Sequence, residues 1–290
     1  MPDIVNTEQA QAWNGPEGAH WARNQDRWNA VNGGFNAPLL DAAGIAEDTR
    51  TLDLGCGSGQ TTRLAALRAP RGHALGLDLS GPMLSEARAL AAREGIANTS
   101  YVQGDAQTHP FAGGEFDTAI SRYGVMFYAD PVAAFGNIGR ALRPGGRLAF
   151  VCPADAALND WVTAVASLRG IVPTGDFGQP GLPGMFSLAA PDRIRDVLTE
   201  AGFTDVAVEQ VQAYGTWGRG AADAADFLLA TGPGRHLMDQ AADAATRTHT
   251  RATLTAHLRA HETADGMVRL RSTSWLVTAD RPTSPADGRP

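Results

Sequence analysis

Leu52-Asp53-Leu54-Gly55-Cys56-Gly57-Ser58-Gly59 decides how this chain reads. Residues 50–54 have the composition of a buried strand, and residues 60–69 have the apolar spacing of an amphipathic helix. Three alternating glycines at such a junction let the backbone turn sharply and approach a ligand, while the helix start offers N–H groups that no intrahelical carbonyl satisfies. Asp78 ends the next apolar run about twenty residues further on, where a carboxylate accepts from ribose hydroxyls.

Outward from this junction the pattern keeps alternating. Residues 74–78 form a second strand, and residues 82–93 a helix capped by Ser80 or Gly81, with Pro82 in its first turn. Residues 99–103 and 116–121 are the third and fourth strands. Asp130 and Pro131 read as N-cap and first residue of a helix reaching about residue 142. Pro144-Gly145-Gly146 is a tight turn before a fifth strand, 147–152. Strand and helix in alternation predict a parallel sheet with crossover helices.

After Pro153 the rhythm breaks. A stretch rich in glycine and proline, 171–185, reads as a lid or pocket wall. A helix over 191–201 is closed by Gly202, followed by a sixth strand at 204–211, helices at 221–230 and 235–261, and a last strand at 267–279 inserted antiparallel. The domain reading is a helical cover (1–32), a ligand-binding core (33–153), a lid (154–190), the remainder of the sheet with a helical hairpin (191–280), and a disordered tail (281–290).

At 290 residues and 43% hydrophobic, the chain can bury a full core. Its formal charge of −7 argues against a nucleic-acid partner, which needs basic side chains gathered on one face. Every basic residue is arginine, so no lysine can serve in a mechanism. No apolar run approaches the roughly 20 residues of a membrane-spanning helix, and the first residues lack a secretory signal's basic start and apolar core. A cytoplasmic protein, monomeric or homodimeric, with a small-molecule partner is expected. Cys56 and Cys152 fall at the ends of the first and fifth strands, too far apart for a disulfide if one strand separates them, so both are expected as free thiols.

Five ordered segments resemble the class I S-adenosylmethionine-dependent methyltransferases, specifically their small-molecule branch. They are residues 52–59, Gly76-Leu77-Asp78-Leu79-Ser80 with Met83-Leu84, Gly104-Asp105-Ala106, residues 116–121, and Leu142-Arg143-Pro144-Gly145-Gly146-Arg147-Leu148. The resemblance implies a Rossmann-like α/β fold with a seven-stranded, mostly parallel sheet, and S-adenosylmethionine as cofactor. It implies that Gly55, Cys56, Gly57, Ser58 and Gly59 hold the methionine part, with Asp53 facing its amino group directly or through water. Asp78 would take the ribose hydroxyls, Leu79 and Met83 would pack on the adenine, and Asp105 would accept from the adenine amino group. Gly104 belongs to that segment, the Ala106 N–H would donate to the ring, and Ser121 and Arg122 would sit between cofactor and substrate. A nicotinamide-dependent oxidoreductase uses a related fold, but its G-x-G-x-x-G spacing differs from glycines at 55, 57 and 59. A non-enzymatic module that senses cofactor or ligand is the other alternative.

Methyl transfer requires proximity and alignment, and a base only where the nucleophile must lose a proton. Asp26, Tyr123 and His236 are the candidate catalytic groups. His20, Trp21, Arg122, Met126, Phe127, Tyr128 and Phe186 are the candidate acceptor-binding residues, in a cover and loop rich in aromatic side chains. They favour a small, apolar, indole- or phenol-like acceptor, methylated at C, N or O. His257 and His261 have helical spacing that can bind a metal, but no acid lies between them and no metal is expected.

Overall fold

In the computed structural model, which describes residues 4–173 and 184–283, seven strands form one sheet in the order β3-β2-β1-β4-β5-β7-β6. They are β1 (Arg50–Leu54), β2 (His73–Asp78), β3 (Thr99–Gln103), β4 (Phe116–Arg122), β5 (Leu142–Pro153), β6 (Thr204–Arg219) and β7 (Met267–Asp280). The helices are α1 (Thr7–Asn14), α2 (Pro16–Arg23), α3 (Gln25–Asn32), α4 (Asn36–Ala42), α5 (Gln60–Arg68), α6 (Gly81–Arg93), α7 (Pro131–Ala141), α8 (Asp160–Ala166), α9 (Pro191–Glu200), α10 (Gly220–Ala230), α11 (Gly232–Asp239) and α12 (Ala244–Leu258). Residues 174–183 of the expected lid and 284–290 of the expected tail lie outside the described residues. Among the described residues no helix is long and apolar enough to cross a membrane.

Strands β1 to β5 pair in parallel, and β7 runs antiparallel between β5 and β6, as expected for a late insertion. Period-2 alternation sorts side chains onto the two faces. Leu52 and Leu54 of β1, with Leu148 and Phe150 of β5, pack under Phe135 and Ile138 of α7 and Ile194 and Leu198 of α9. Ala149 and Val151 of β5 face the other way, onto Leu39 and Leu40 of α4 and Ala65 and Ala66 of α5. Burying both faces explains why these strands read as nearly continuous apolar runs. Cys56 and Cys152 are free and buried, with β4 lying between their strands.

Three expectations are corrected. The turn at Pro144-Gly145-Gly146 is a bulge inside β5: register passes from Phe116↔Leu142 to Thr118↔Arg147, and Gly145 takes φ 72° while its N–H donates to the Arg281 carbonyl. The sixth strand runs on past residue 211 to Arg219, across glycines that argue against a strand in isolation. Those glycines mark close approach instead, since a Cβ at Gly215 would lie 2.3 Å from the Val31 carbonyl oxygen of α3, and one at Gly218 would lie 2.6 Å from the Ala224 amide nitrogen of α10. The helix expected over 235–261 is two helices, because Asp243 caps a fresh start by accepting from the Thr246 amide.

The long β6–β7 ribbon thus projects past the sheet and carries a second core. Trp217 from β6, Val268 and Leu270 from β7, Phe227 and Leu228 from α10 and Leu254 and Leu258 from α12 pack there with Trp28 and Val31 of α3. This core stands over the C-terminal ends of the parallel strands, where open α/β sheets bind ligands.

Candidate functional site

The glycine junction sits where the expectation placed it. Gly55, Gly57 and Gly59 all take positive φ (62°, 54° and 73°), which L side chains adopt only with strain. At Gly55 a Cβ would also lie 2.7 Å from the Gly124 Cα, so the loop after β4 packs directly on the loop after β1. Gly55 and Cys56 donate their N–H groups to the Leu77 carbonyl, and the Gly57 N–H donates to Asp78 Oδ2 at 2.8 Å. Asp78 Oδ1 accepts from the Ser80 amide at 2.8 Å. Each oxygen keeps a lone pair, and burial raises this carboxyl above its ordinary range against the pull of the backbone amides.

These residues form one wall of a cavity of about 680 Å³. Gly55, Cys56, Gly57, Ser58, Asp78, Leu79, Met83, Gly104, Asp105 and Ala106 line it. The Ser58 and Tyr128 hydroxyls are buried there with no protein partner. Burial, with a smaller push from the nearby charges of Asp105 and Asp78, drives the Tyr128 phenol far above the usual range. Asp105 is largely engaged: Oδ2 accepts from the Val5 and Asn6 amides at 3.1 and 2.8 Å, and Oδ1 from the Gln107 amide at 3.0 Å.

Three residues expected to hold cofactor are not among those lining the cavity. Asp53 is fully buried and its Oδ2 accepts from the Thr61 and Thr62 hydroxyls at 2.7 and 2.6 Å, tying β1 to the first turn of α5. Burial raises its carboxyl to about 6, partly offset by those hydroxyls and by Arg122. Gly59 turns its backbone into α5 against the Tyr101 ring. Ser121 is buried, donates from Oγ to the Leu54 carbonyl at 2.7 Å and accepts from the Gly124 amide, so it joins β4 to β1.

The facing wall is aromatic. Trp21 stacks on Trp28 with centroids 3.8 Å apart and planes 2° from parallel, and Trp13 meets Trp21 and Phe127 edge-on at 5.8 and 5.6 Å. Trp28 then contacts Trp217, Trp217 stacks on Trp161, and Trp161 stacks on Phe186. This path of rings joins the N-terminal helices to β6, α8 and the segment before α9, and five of the six tryptophans line the cavity. Of the candidate acceptor-binding residues, Trp21, Arg122, Met126, Phe127, Tyr128 and Phe186 line the cavity, and Tyr123 lines it from φ 62° with its hydroxyl 2.8 Å from Ser274 Oγ. Burial pushes the Tyr123 phenol well above its usual range, which makes it a poor base.

Asp26, His20 and His236 are corrections. On α3 the cavity face is Gln25, Trp28, Asn29 and Asn32, and Asp26 lies one residue, about 100° of helix, away on the exposed side. On α2 the lining residues are Glu17 and Trp21, whereas His20 is buried between Trp28 and Phe227, its imidazole pKa lowered chiefly by that burial. His236 is exposed on the outer side of α11, and the cavity instead meets Thr231, Gly232 and Pro233. No histidine is among the described residues lining the cavity.

Sequence reasoning missed Glu17, Gln60, Trp161 and Trp217 as lining residues. Glu17 accepts from Trp21 Nε1 at 2.9 Å and pairs with Arg235 of α11. Its spacing of four from Trp21 on a helix was the available signal. Trp217 was hidden by the glycines that made β6 read short.

The N-terminal segment is laced to the core by side chains from both sides. Asn6 donates from Nδ2 to the Phe127 carbonyl at 2.8 Å, Asn14 bonds the Leu79 carbonyl and the Gly81 amide, and Ser80 donates to the Trp13 carbonyl. Arg27 pairs with Asp223 of α10 and lies 4.1 Å over the Phe227 ring.

Residues 52–150 match the family described as a methyltransferase domain. The chain is 32% identical over 164 residues to the demethylmenaquinone methyltransferase of Thermus thermophilus, covering 53% of this chain and 74% of that one. It is 39% identical over 113 residues to an uncharacterized protein of Mycobacterium tuberculosis, 39% of this chain and 40% of that one, so the chain spans well under half the length of that relative. Among solved structures, phosphoethanolamine N-methyltransferase 2 of Haemonchus contortus, determined with S-adenosyl-L-methionine, superposes with a TM-score of 0.58 at 21% identity over 97% of this chain and 60% of that one. That likeness is one of fold. With the glycine loop, Asp78 and the seven-stranded sheet in place, the chain belongs to the class I S-adenosylmethionine-dependent methyltransferases.

Proposed function

We propose that this chain transfers a methyl group from S-adenosylmethionine to a small, largely apolar metabolite. The observation that carries the reading is that one continuous cavity joins the glycine loop and Asp78 to a wall of five tryptophans. The first wall fits the cofactor: Asp78 offers a free lone pair on each oxygen to ribose hydroxyls, and the Ser58 and Tyr128 hydroxyls are buried without partners beside it. Leu79 and Met83 supply apolar surface for the adenine ring, and Asp105 Oδ1 and the Ala106 amide supply polar edges. S-adenosylmethionine brings an electrophilic methyl carbon.

The chain's own part is to place a nucleophile and exclude water. The indole faces hold a flat, apolar acceptor by stacking, which favours an indole- or phenol-like ring, and the similarity to a methyltransferase named for demethylmenaquinone supports a small-molecule acceptor. Asp53 and Ser121 act by positioning, since each fastens the ends of β1 and β4 on which the loop depends. With its hydroxyl engaged by Ser274 and its phenol pushed up by burial, Tyr123 is not the proton acceptor in this reading, and the favoured nucleophile is electron-rich or already anionic. The N-terminal residues to about position 32 are a functional cover in this reading. Incubating the protein with S-adenosylmethionine and a panel of indoles, phenols and quinols, with mass spectrometry of products, tests it. A product heavier by one methyl group together with S-adenosylhomocysteine is expected, and turnover only of polar aliphatic acceptors would contradict the aromatic assignment.

A further inference from the structure

Arg122 ends β4 and is the one basic side chain among the described residues lining the cavity. Its Nη1 donates to two neutral oxygens, Asn36 Oδ1 at 2.5 Å and Gln60 Oε1 at 2.6 Å, and Asn36 Nδ2 donates to Gln60 at 3.2 Å. The two amides fix the guanidinium, and the buried Asp53 carboxyl acts on it only through space, since it bonds the Thr61 and Thr62 hydroxyls and forms no ion pair with Arg122. Among the described residues it forms no ion pair. The three carboxylates that share the cavity bond elsewhere: Glu17 with Arg235 and Trp21, Asp78 with the Gly57 and Ser80 amides, Asp105 with the Val5, Asn6 and Gln107 amides.

The same corner holds a second attraction for an anion. Gln60 and Thr61 line the cavity and are the first two residues of α5, whose opening amides have no carbonyl within the helix to bond. A cation held against neutral amides in a partly desolvated site is costly until an anion meets it, and a guanidinium presents the planar fork that a carboxylate matches.

We propose that Arg122 and the first turn of α5 form a carboxylate receptor, and that one of the two molecules sharing the cavity carries that carboxylate. This rests on the methyl-transfer reading above. The carboxylate comes either from the amino-acid end of the cofactor or from an acid group on the acceptor. Burial lowers the Arg122 pKa only to about 10, so the side chain stays charged at neutral pH.

Calorimetry on the full chain, with Arg122→Gln and Arg122→Lys beside the wild type, separates the outcomes. The probes are S-adenosylhomocysteine, 5′-methylthioadenosine, which lacks the amino-acid end, and indole-3-acetate added at saturating S-adenosylhomocysteine. If the cofactor supplies the carboxylate, Arg122→Gln loses at least tenfold in S-adenosylhomocysteine affinity, binds 5′-methylthioadenosine as the wild type does, and Arg122→Lys recovers part of the loss. If the acceptor supplies it, S-adenosylhomocysteine affinity holds and indole-3-acetate binding falls at least tenfold. Equal binding of all three probes by wild type and Arg122→Gln overturns the proposal while leaving methyl transfer standing. A wild type that binds neither nucleoside overturns the methyl-transfer reading and the receptor with it. Unchanged 5′-methylthioadenosine affinity in the variants shows that they are folded.

Discussion

The wall at the strand ends is made mostly of backbone: Gly55 and Gly57 at positive φ, amides aimed at Asp78, and short loops fastened by Ser121 and Asp53. The facing wall is made of side chains, drawn from the N-terminal helices, the start of α8, the far end of β6 and the segment before α9. A wall of backbone is local, so a short run of neighbouring residues specifies it. A wall of rings exists only when distant segments meet, and its chemistry can change without touching the loop. In the function proposed above the first wall recognises the cofactor and the second chooses the acceptor, and each half of that proposal can be broken separately.

The largest effect is expected at Trp28, which stacks on Trp21, meets Trp217 and Phe227, and is 8% exposed. Truncating a buried aromatic costs about 3–5 kcal/mol, so Trp28→Ala should lower the melting temperature by several degrees and abolish turnover of an aromatic acceptor. Wild-type turnover in a variant that melts earlier would show that the ring path supports folding only.

A smaller effect is expected from Asp53→Asn. Burial raises the folded carboxyl from 3.8 to about 6, so the folded state binds more protons than the unfolded state between those values. Stability from this group is fully present below about pH 3.8 and is lost as pH rises through about 6. The asparagine oxygen can still accept from Thr61 and Thr62, so the variant should show a flatter dependence of melting temperature on pH across that same interval. An identical pH dependence in variant and wild type would mean that Asp53 does not titrate there.

The smallest effects are expected at Asp26 and His236. Both are exposed and neither lines the cavity, so Asp26→Asn and His236→Ala should keep kcat within about twofold of wild type. A steep loss of kcat in either would move the acceptor site to the outer face of the cover.

What the sequence disclosed follows the same division. The glycines, Asp78 and the alternating strands were legible because each is set by neighbours a few residues away. Asp26 was misassigned because a helix changes face by about 100° per residue, and only the partner, here β6 through Gly215 and Val31, decides which face turns inward. Trp217 and Trp161 could not be placed, since their distance in sequence from Trp28 carries no local signal. Asp53, expected to face the cofactor's amino group, and Ser121, expected between cofactor and substrate, bond the frame of the loop rather than line the cavity, a distinction set by side-chain direction that the sequence does not carry.

The division of labour is tested most directly by titrating S-adenosylhomocysteine calorimetrically into wild type, Asp78→Ala and Trp28→Ala. Charge-assisted hydrogen bonds from a buried carboxylate are worth about 1.5–3 kcal/mol, so Asp78→Ala should bind at least tenfold more weakly. Trp28→Ala, held below its melting temperature, should stay within a few-fold of wild type. Undiminished binding by Asp78→Ala, with binding lost in folded Trp28→Ala, would contradict the account by placing cofactor recognition on the aromatic wall.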